Sequence, residues 1–140
     1  MATGEMIAEG PLRCQVVTPE RVVIDERVDF VAVPLDDGEL GVLPGRAPLV
    51  GRLGFGELRS RSHRGEERHF VDGGFVQVRD DVVTVLTSRA VAVTDLDLES
   101  ARAELARARA LPGATADQLR EKSRALARAR AMVRAAERVA

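Results

Sequence analysis

Within Leu98-Glu99-Ser100-Ala101-Arg102-Ala103, Glu99 and Arg102 stand three residues apart, a spacing that puts both side chains on one face of a helix. A carboxylate and a guanidinium so placed can serve one ligand, the first accepting hydrogen bonds and the second meeting a phosphate. The simpler reading is an intrahelical ion pair worth about 0.2–0.5 kcal/mol. Further on, Arg120, Lys122, Arg124, Arg128, Arg130, Arg134 and Arg138 stand against Asp117, Glu121 and Glu137, an excess of +4 over residues 114–140. Such a helix is either a solvated face or a surface for an acidic partner.

Catalytic, metal and redox chemistry find little to work with. Cys14 is the single cysteine, which excludes an internal disulfide and a thiolate zinc site and leaves it as a small buried hydrophobe. His63 and His69 have no third ligand nearby and read as solvated strand residues. Asp80 and Asp81 are turn chemistry between two strands rather than a metal pair, since neighbouring strand residues point to opposite faces. The glycines between Gly38 and Leu49 lead into a strand, whereas a phosphate cradle needs them to open a helix. With four Phe and neither Trp nor Tyr, the stacking platforms of single-strand nucleic-acid binders are missing, so no nucleic-acid partner is expected.

These groups are carried by two differently built halves. Residues 1–96 hold 16 acidic and 11 basic side chains and residues 97–140 hold 6 and 10, so the net charge of −1 conceals −5 and +4. Every Phe and all but one Gly precede residue 97, and the C-terminal segment beyond it is rich in strong helix formers. Before that boundary, β-branched runs broken by Gly, Pro and Asp predict strands at 12–17, 21–24, 28–34, 49–53, 56–62, 67–71, 75–78 and 82–86, with a further short strand inside 38–49. Turn signals this frequent predict a β-sandwich or a barrel.

Beyond it the period becomes helical. Asp97 is placed to cap the first N–H groups, and Leu98, Ala101, Leu105 and Ala108 form one stripe. Leu111-Pro112-Gly113 stops that helix, and Thr115 with Gln118 has capping-box spacing for a second one. In the second helix Leu119, Leu126 and Val133 recur every seven residues with Ala129 and Ala136 between them, a narrow seam for a partner helix. The product is a helical hairpin whose docking rests on a few Leu and Val, at about 1.5–3 kcal/mol each when fully buried, and which is therefore able to open. No apolar run approaches the roughly 20 residues needed to cross a bilayer, and residues 1–10 lack the basic start and apolar centre of a targeting signal.

Gly38-Glu39-Leu40-Gly41-Val42-Leu43-Pro44-Gly45-Arg46-Ala47-Pro48-Leu49, then Phe70-Val71-Asp72-Gly73-Gly74-Phe75-Val76-Gln77-Val78, Val82-Val83-Thr84-Val85-Leu86 and Leu98-Glu99-Ser100-Ala101-Arg102-Ala103, occur in an order that resembles the epsilon subunit of F-type ATP synthases. The first segment matches the family pattern Gly-Glu-Leu-Gly-(Val/Ile)-x-Pro-Gly-His-Ala-Pro-Leu except at Arg46, which stands where histidine is usual. The last resembles the family's (Ile/Leu)-Asp-x-x-Arg-Ala motif with Glu99 in place of Asp.

The resemblance implies a β-sandwich over residues 1–94 followed by an antiparallel helical hairpin over 95–140. It implies a non-catalytic rotor subunit of the central stalk, joining the gamma subunit to the c ring, helping to couple proton flow to ATP synthesis and requiring no cofactor. Asp29, which aligns with an acidic position near the polar loops of the ring, and Glu39 and Arg46 are the candidates for the c-ring or gamma contact. Glu99 and Arg102 are candidates for binding ATP as a regulatory ligand. Arg120, Lys122, Arg124, Arg128, Arg130 and Arg134 are candidates for an inhibitory contact with the catalytic alpha and beta subunits. The implied location is the cytoplasmic face of a bacterial inner membrane, reached only through the complex. Two other readings remain, an ATP-sensing module built on Glu99 and Arg102 and an adaptor whose basic hairpin binds an acidic protein surface.

Overall fold

The computed structural model describes residues 10–139, so the reading of the N-terminal segment as free of a targeting signal lies outside the described residues but for Gly10. Eight strands precede two helices: β1 (Leu12–Val17), β2 (Val22–Val28), β3 (Phe30–Leu35), β4 (Gly38–Val42), β5 (Leu49–Ser62), β6 (Gly65–Arg79), β7 (Val82–Leu86) and β8 (Ala90–Ala92). A 3-10 turn at Val93–Asp95 leads into α1 (Leu98–Arg109) and α2 (Ala116–Val139). The strands pair in the order β2-β1-β7-β6-β5-β3-β4, with β8 added to β6. All pairings are antiparallel except that of β1 with β7.

Strands expected as four short pieces form two long ones. The 49–53 and 56–62 runs are one strand, as are 67–71 and 75–78, and the pairing of β5 with β6 continues from Leu49↔Val78 to Ser62↔Gly65. Gly54, Gly73 and Gly74 look like breakers in the sequence but act as bends inside a continuous ladder. A side chain at Gly74, whose φ is +113°, would collide with the Leu86 carbonyl. One end of β6 pairs with β7 through Phe75↔Leu86 and the other with β8 through His69↔Ala92, so the long pair serves both layers of the sandwich.

Period-two burial on β1, β6 and β7 turns Leu12, Cys14, Val16, Val76, Val78, Val83 and Val85 inward, where they meet Val31, Val33, Val42, Leu53 and Leu58. Burial pushes the Cys14 thiol up to about 12, which keeps it protonated and inert.

The helices do not enter this core. A second, separate cluster joins Phe70, Val93, Ala101, Ala131, Met132 and Ala135, with Phe55, Leu96 and Val133 packed against it. The hairpin therefore rests on the outside of the sandwich, setting Ala101, Ala131, Met132 and Ala135 against Phe70 and Val93. Its turn is capped reciprocally: the Thr115 hydroxyl accepts the Gln118 backbone N–H at 3.1 Å, and the side-chain Oε1 of Gln118 accepts the N–H of Ala114 and Thr115 at 3.0 and 3.1 Å.

Two expectations need correcting. Asp97 occupies the N-cap position of α1, but its carboxylate makes no cap bond to the backbone. It accepts the Ser100 hydroxyl at 2.7 Å instead, the main cause of its lowered pKa. The seam of α2 is also broader and later than a Leu119, Leu126, Val133 stripe. Leu119 is 52% exposed, while Ala129, Ala131, Met132, Ala135 and Ala136 are buried. The reason is length: α2 has 24 residues and α1 only 12, and it is the later part of α2 that packs against both α1 and the sandwich.

Candidate functional site

The contact between hairpin and sandwich holds the most developed polar chemistry among the described residues. Asp72 sits on β6 just before the bend, and its side chain is only 11% exposed. Its N–H donates to the Thr87 hydroxyl at 3.1 Å and to the Arg89 carbonyl at 3.1 Å, and its own carbonyl accepts the Ser88 hydroxyl at 3.2 Å. The carboxylate, fixed in this way, accepts a hydrogen bond from Arg128 Nε at 2.8 Å. The guanidinium groups of Arg124 and Arg128 lie 5.4 and 5.3 Å from the centre of the Phe55 ring. Further along α2, Arg138 meets Glu57, whose side chain is 10% exposed, at 3.3 Å. Three arginines of the helix thus hold it to two nearly buried carboxylates and one ring.

Sequence reasoning missed Phe55, Glu57 and Asp72. The signal for Asp72 was a lone carboxylate inside the apolar run Phe70-Val71-Asp72-Gly73-Gly74-Phe75, where an uncompensated charge would be costly. Arg124 and Arg128, which the sequence presents as parts of a free basic face, are docked. Arg120 pairs with Asp117 within its own helix. Lys122, Arg130 and Arg134 form no ion pair among the described residues, and Arg130 and Arg134 are exposed.

Glu99 and Arg102 are not brought together. Arg102, near the start of α1, crosses the hairpin to Glu137, near the end of α2, at 3.8 Å, as antiparallel helices allow, and Glu99 faces solvent. The intrahelical pair expected from their spacing does not form because the partner helix offers an acid to the same guanidinium.

At one end of the sandwich, Asp29 links β2 to β3 and is exposed, its N–H bonded to the Arg61 carbonyl at 2.7 Å. Arg46 is exposed in the loop 43–48 after β4. Glu39 lies on β4 and pairs with Arg59 at 3.1 Å. Asp80 and Asp81 form the turn between β6 and β7, as expected, and Asp81 Oδ1 accepts the Gly45 N–H at 2.8 Å.

The outer face of the sandwich is unusually apolar. The registers Val22↔Val17, Val17↔Leu86 and Leu86↔Phe75 make one row across four strands, ending on Arg52, which lies 5.8 Å from the Phe75 ring centre. Val22, Phe75 and Leu86 are 56%, 52% and 52% exposed, and Val50 on the same strand as Arg52 is 74% exposed.

A cleft of about 610 Å³ lies where β2, β6 and β8 meet the end of α2, lined by Glu26, Glu67, His69 and Val139 among others. His69, expected in solvent, is instead half-buried. The unforeseen strand β8 covers it through the register His69↔Ala92, its Nδ1 is buried without a partner, and burial lowers its pKa against the opposing pull of Glu67 and Asp95. His63 lies in the turn between β5 and β6 rather than on a strand. No helix among the described residues is long and apolar enough to cross a membrane.

Residues 11–93 match the family model described as ATP synthase, Delta/Epsilon chain, beta-sandwich domain. The chain is 55% identical over 124 residues, 89% of its length, to the ATP synthase epsilon chain of Rhodopirellula baltica, of which it covers 97%. It is 45% identical over 98 residues, 70% of its length, to the ATP synthase epsilon chain of Pelotomaculum thermopropionicum, of which it covers 72%. Among solved structures it superposes on a chain of the Euglena gracilis mitochondrial ATP synthase OSCP/F1/c-ring assembly with a TM-score of 0.78 at 25% identity, covering 93% of this chain and 82% of that one. A chain of the Tetrahymena thermophila mitochondrial ATP synthase central stalk and c ring shares the fold, with a TM-score of 0.70 at 13% identity, over 91% of this chain and 98% of that one. A β-sandwich carrying an externally docked helical hairpin, this family match and an epsilon-chain relative spanned almost end to end lead to one conclusion: the chain belongs to the delta/epsilon family of ATP synthase subunits, non-catalytic stalk components of that enzyme.

Proposed function

We propose that the sandwich fixes this subunit to the rotor of a proton-translocating synthase, between the gamma subunit and the c ring, and that the hairpin acts as a brake on ATP hydrolysis. The observation that carries this reading is the division into two cores, one within the sandwich and a separate one where Ala101, Ala131, Met132 and Ala135 of the hairpin meet Phe70 and Val93. A body with its own core can stay anchored while a loosely held pair of helices changes place. The apolar row through Val22, Val17, Leu86 and Phe75 suits a permanent contact with the gamma subunit. The exposed end bearing Asp29 and Arg46 suits polar loops of the ring; Glu39 lies apart from it, in a groove beside α2 shared with Arg134 and Arg138.

The brake is read from the arginines. Arg124 and Arg128 hold the hairpin down, and on release they would join Arg120, Lys122, Arg130 and Arg134 in a basic helix fitted to an acidic surface of the catalytic alpha and beta subunits. ATP at Glu99 and Arg102 belongs to the same reading as a regulatory ligand of the closed hairpin, and it would have to compete with Glu137 for Arg102. The subunit then sits at the cytoplasmic face of a bacterial inner membrane, held there by the complex.

Affinity purification of the tagged full chain from a native membrane extract tests the reading. The gamma and c subunits are expected in the eluate, and they should be lost when Phe75 and Leu86 are both replaced by Glu. Retention of both partners by that double variant would remove the apolar row from the anchor.

A further inference from the structure

We propose that Asp81 is a positioning residue, which shapes the loop 43–48 and so presents Arg46 to the c ring; this rests on the ring contact proposed above. β6 and β7 are joined by Asp80 and Asp81 alone, between the paired residues Arg79 and Val82. Both have positive φ, +52° and +63°, the backbone of a two-residue type I′ hairpin turn. That turn favours Asn or Asp at its first position and Gly at its second. Asp80 follows the preference and Asp81 breaks it, placing a side chain where the left-handed backbone disfavours one.

Strain of this kind persists where the surroundings give the side chain something to do. Here Asp81 Oδ1 accepts the N–H of Gly45 at 2.8 Å, from 36 residues away in sequence. Its backbone carbonyl accepts the Arg13 N–H at 2.9 Å, which anchors the turn to the start of β1. The loop it grips needs such a tether. Every residue from Leu43 to Pro48 is exposed, and Leu43 is 61% exposed. Gly45 has a φ of +83°, and nothing lies within 4 Å of where its side chain would be. Asp81 makes the one side-chain hydrogen bond that ties this loop to the rest of the described residues. Glycine at position 81 would make a better turn and a worse tether.

Asp81→Gly in the full chain therefore separates stability from function. Its melting temperature is expected to stay the same or rise by about 1–4 °C as the left-handed strain is relieved. Exchange of the Gly45 amide proton should speed up about 3–10-fold, the range set by loss of one hydrogen bond, and affinity for a reconstituted complex of gamma subunit and c ring should fall by a similar factor. Asp81→Asn keeps an acceptor oxygen on a residue that tolerates this backbone, so it should stay near the parent on all three readouts. Unchanged Gly45 exchange in Asp81→Gly would overturn the proposal, as would faster exchange with unchanged affinity. Arg46→Glu locates the failure. If it weakens ring binding and Asp81→Gly does not, the positioning role falls and the loop contact stands; if neither variant weakens binding, the loop contact falls as well.

Discussion

Asp72 and Arg128 illustrate how a single pair can define two states. The Asp72 carboxylate is only 11% exposed and its guanidinium partner 33% exposed, so the pair is dry enough for a hydrogen bond at 2.8 Å to matter, yet it lies on the outside of the main core. Breaking it leaves a nearly buried carboxylate unpaired, which works against opening, while freeing an arginine for another partner, which works in favour. The arginine was legible in the sequence as part of a basic helix. Its partner was not, because Asp72 becomes its neighbour only through the bend of β6.

His69 offers a pH test at the same scale. Burial lowers its folded pKa below the unfolded value of 6.5, so the folded chain binds fewer protons than the unfolded one. Its contribution to stability is therefore complete above 6.5 and is lost as pH falls below that value through the lowered folded pKa. Glu67 and Asp95 oppose the shift, and Glu26, Glu66 and Arg68 share the cleft. Urea midpoints should drop more between about pH 7.5 and 5 for the parent than for His69→Gln. Equal drops would mean that His69 does not sense folding.

Among the elements, the helices show how small residues set strength. Ala101 is fully buried and Ala108 and Ala129 are 4% and 2% exposed, so α1 and α2 approach closely while burying little apolar area per residue. The substitution Ala101→Leu would overfill the seam that Ala101 shares with Phe70 and Val93 and is expected to cost about 1–3 kcal/mol, felt in the docking of the hairpin and not in the main core of the sandwich. Amide exchange should accelerate across α1 and α2 and stay unchanged in β1 and β7; acceleration in the strands too would mean that the two cores melt as one. The helical elements were readable because their signals are local: the proline and glycine after Leu111, the Thr115 and Gln118 box, and the Ala-rich stripe. The long strands were not, because Gly54, Gly73 and Gly74 give the same signal for a bend as for a break, and β8 is too short to show a period. The segment 38–49 reads in sequence as a shaped surface loop with a short strand in it, and β4 occupies that place, but its tether to Asp81 is a contact across the fold that spacing cannot reveal.

At the scale of the whole molecule, charge and architecture divide at the same place. The acidic half folds as the sandwich and the basic half as the hairpin, so the docked form brings opposite charges together through Asp72 with Arg128 and Glu57 with Arg138. A brake needs that attraction to be moderate, strong enough to hold the helices when no better acidic surface is near and weak enough to yield when one is. Asp72→Ala weakens the docked state while leaving every arginine of α2 in place, so it separates the hold from the brake. The decisive measurement is ATP hydrolysis by a synthase reconstituted with the parent chain, with Asp72→Ala, and with a chain lacking residues 96–140. The account predicts that Asp72→Ala hydrolyses more slowly than the parent and that the hairpin-free complex hydrolyses fastest. Equal rates for all three, or faster hydrolysis with Asp72→Ala than with the parent, would contradict it.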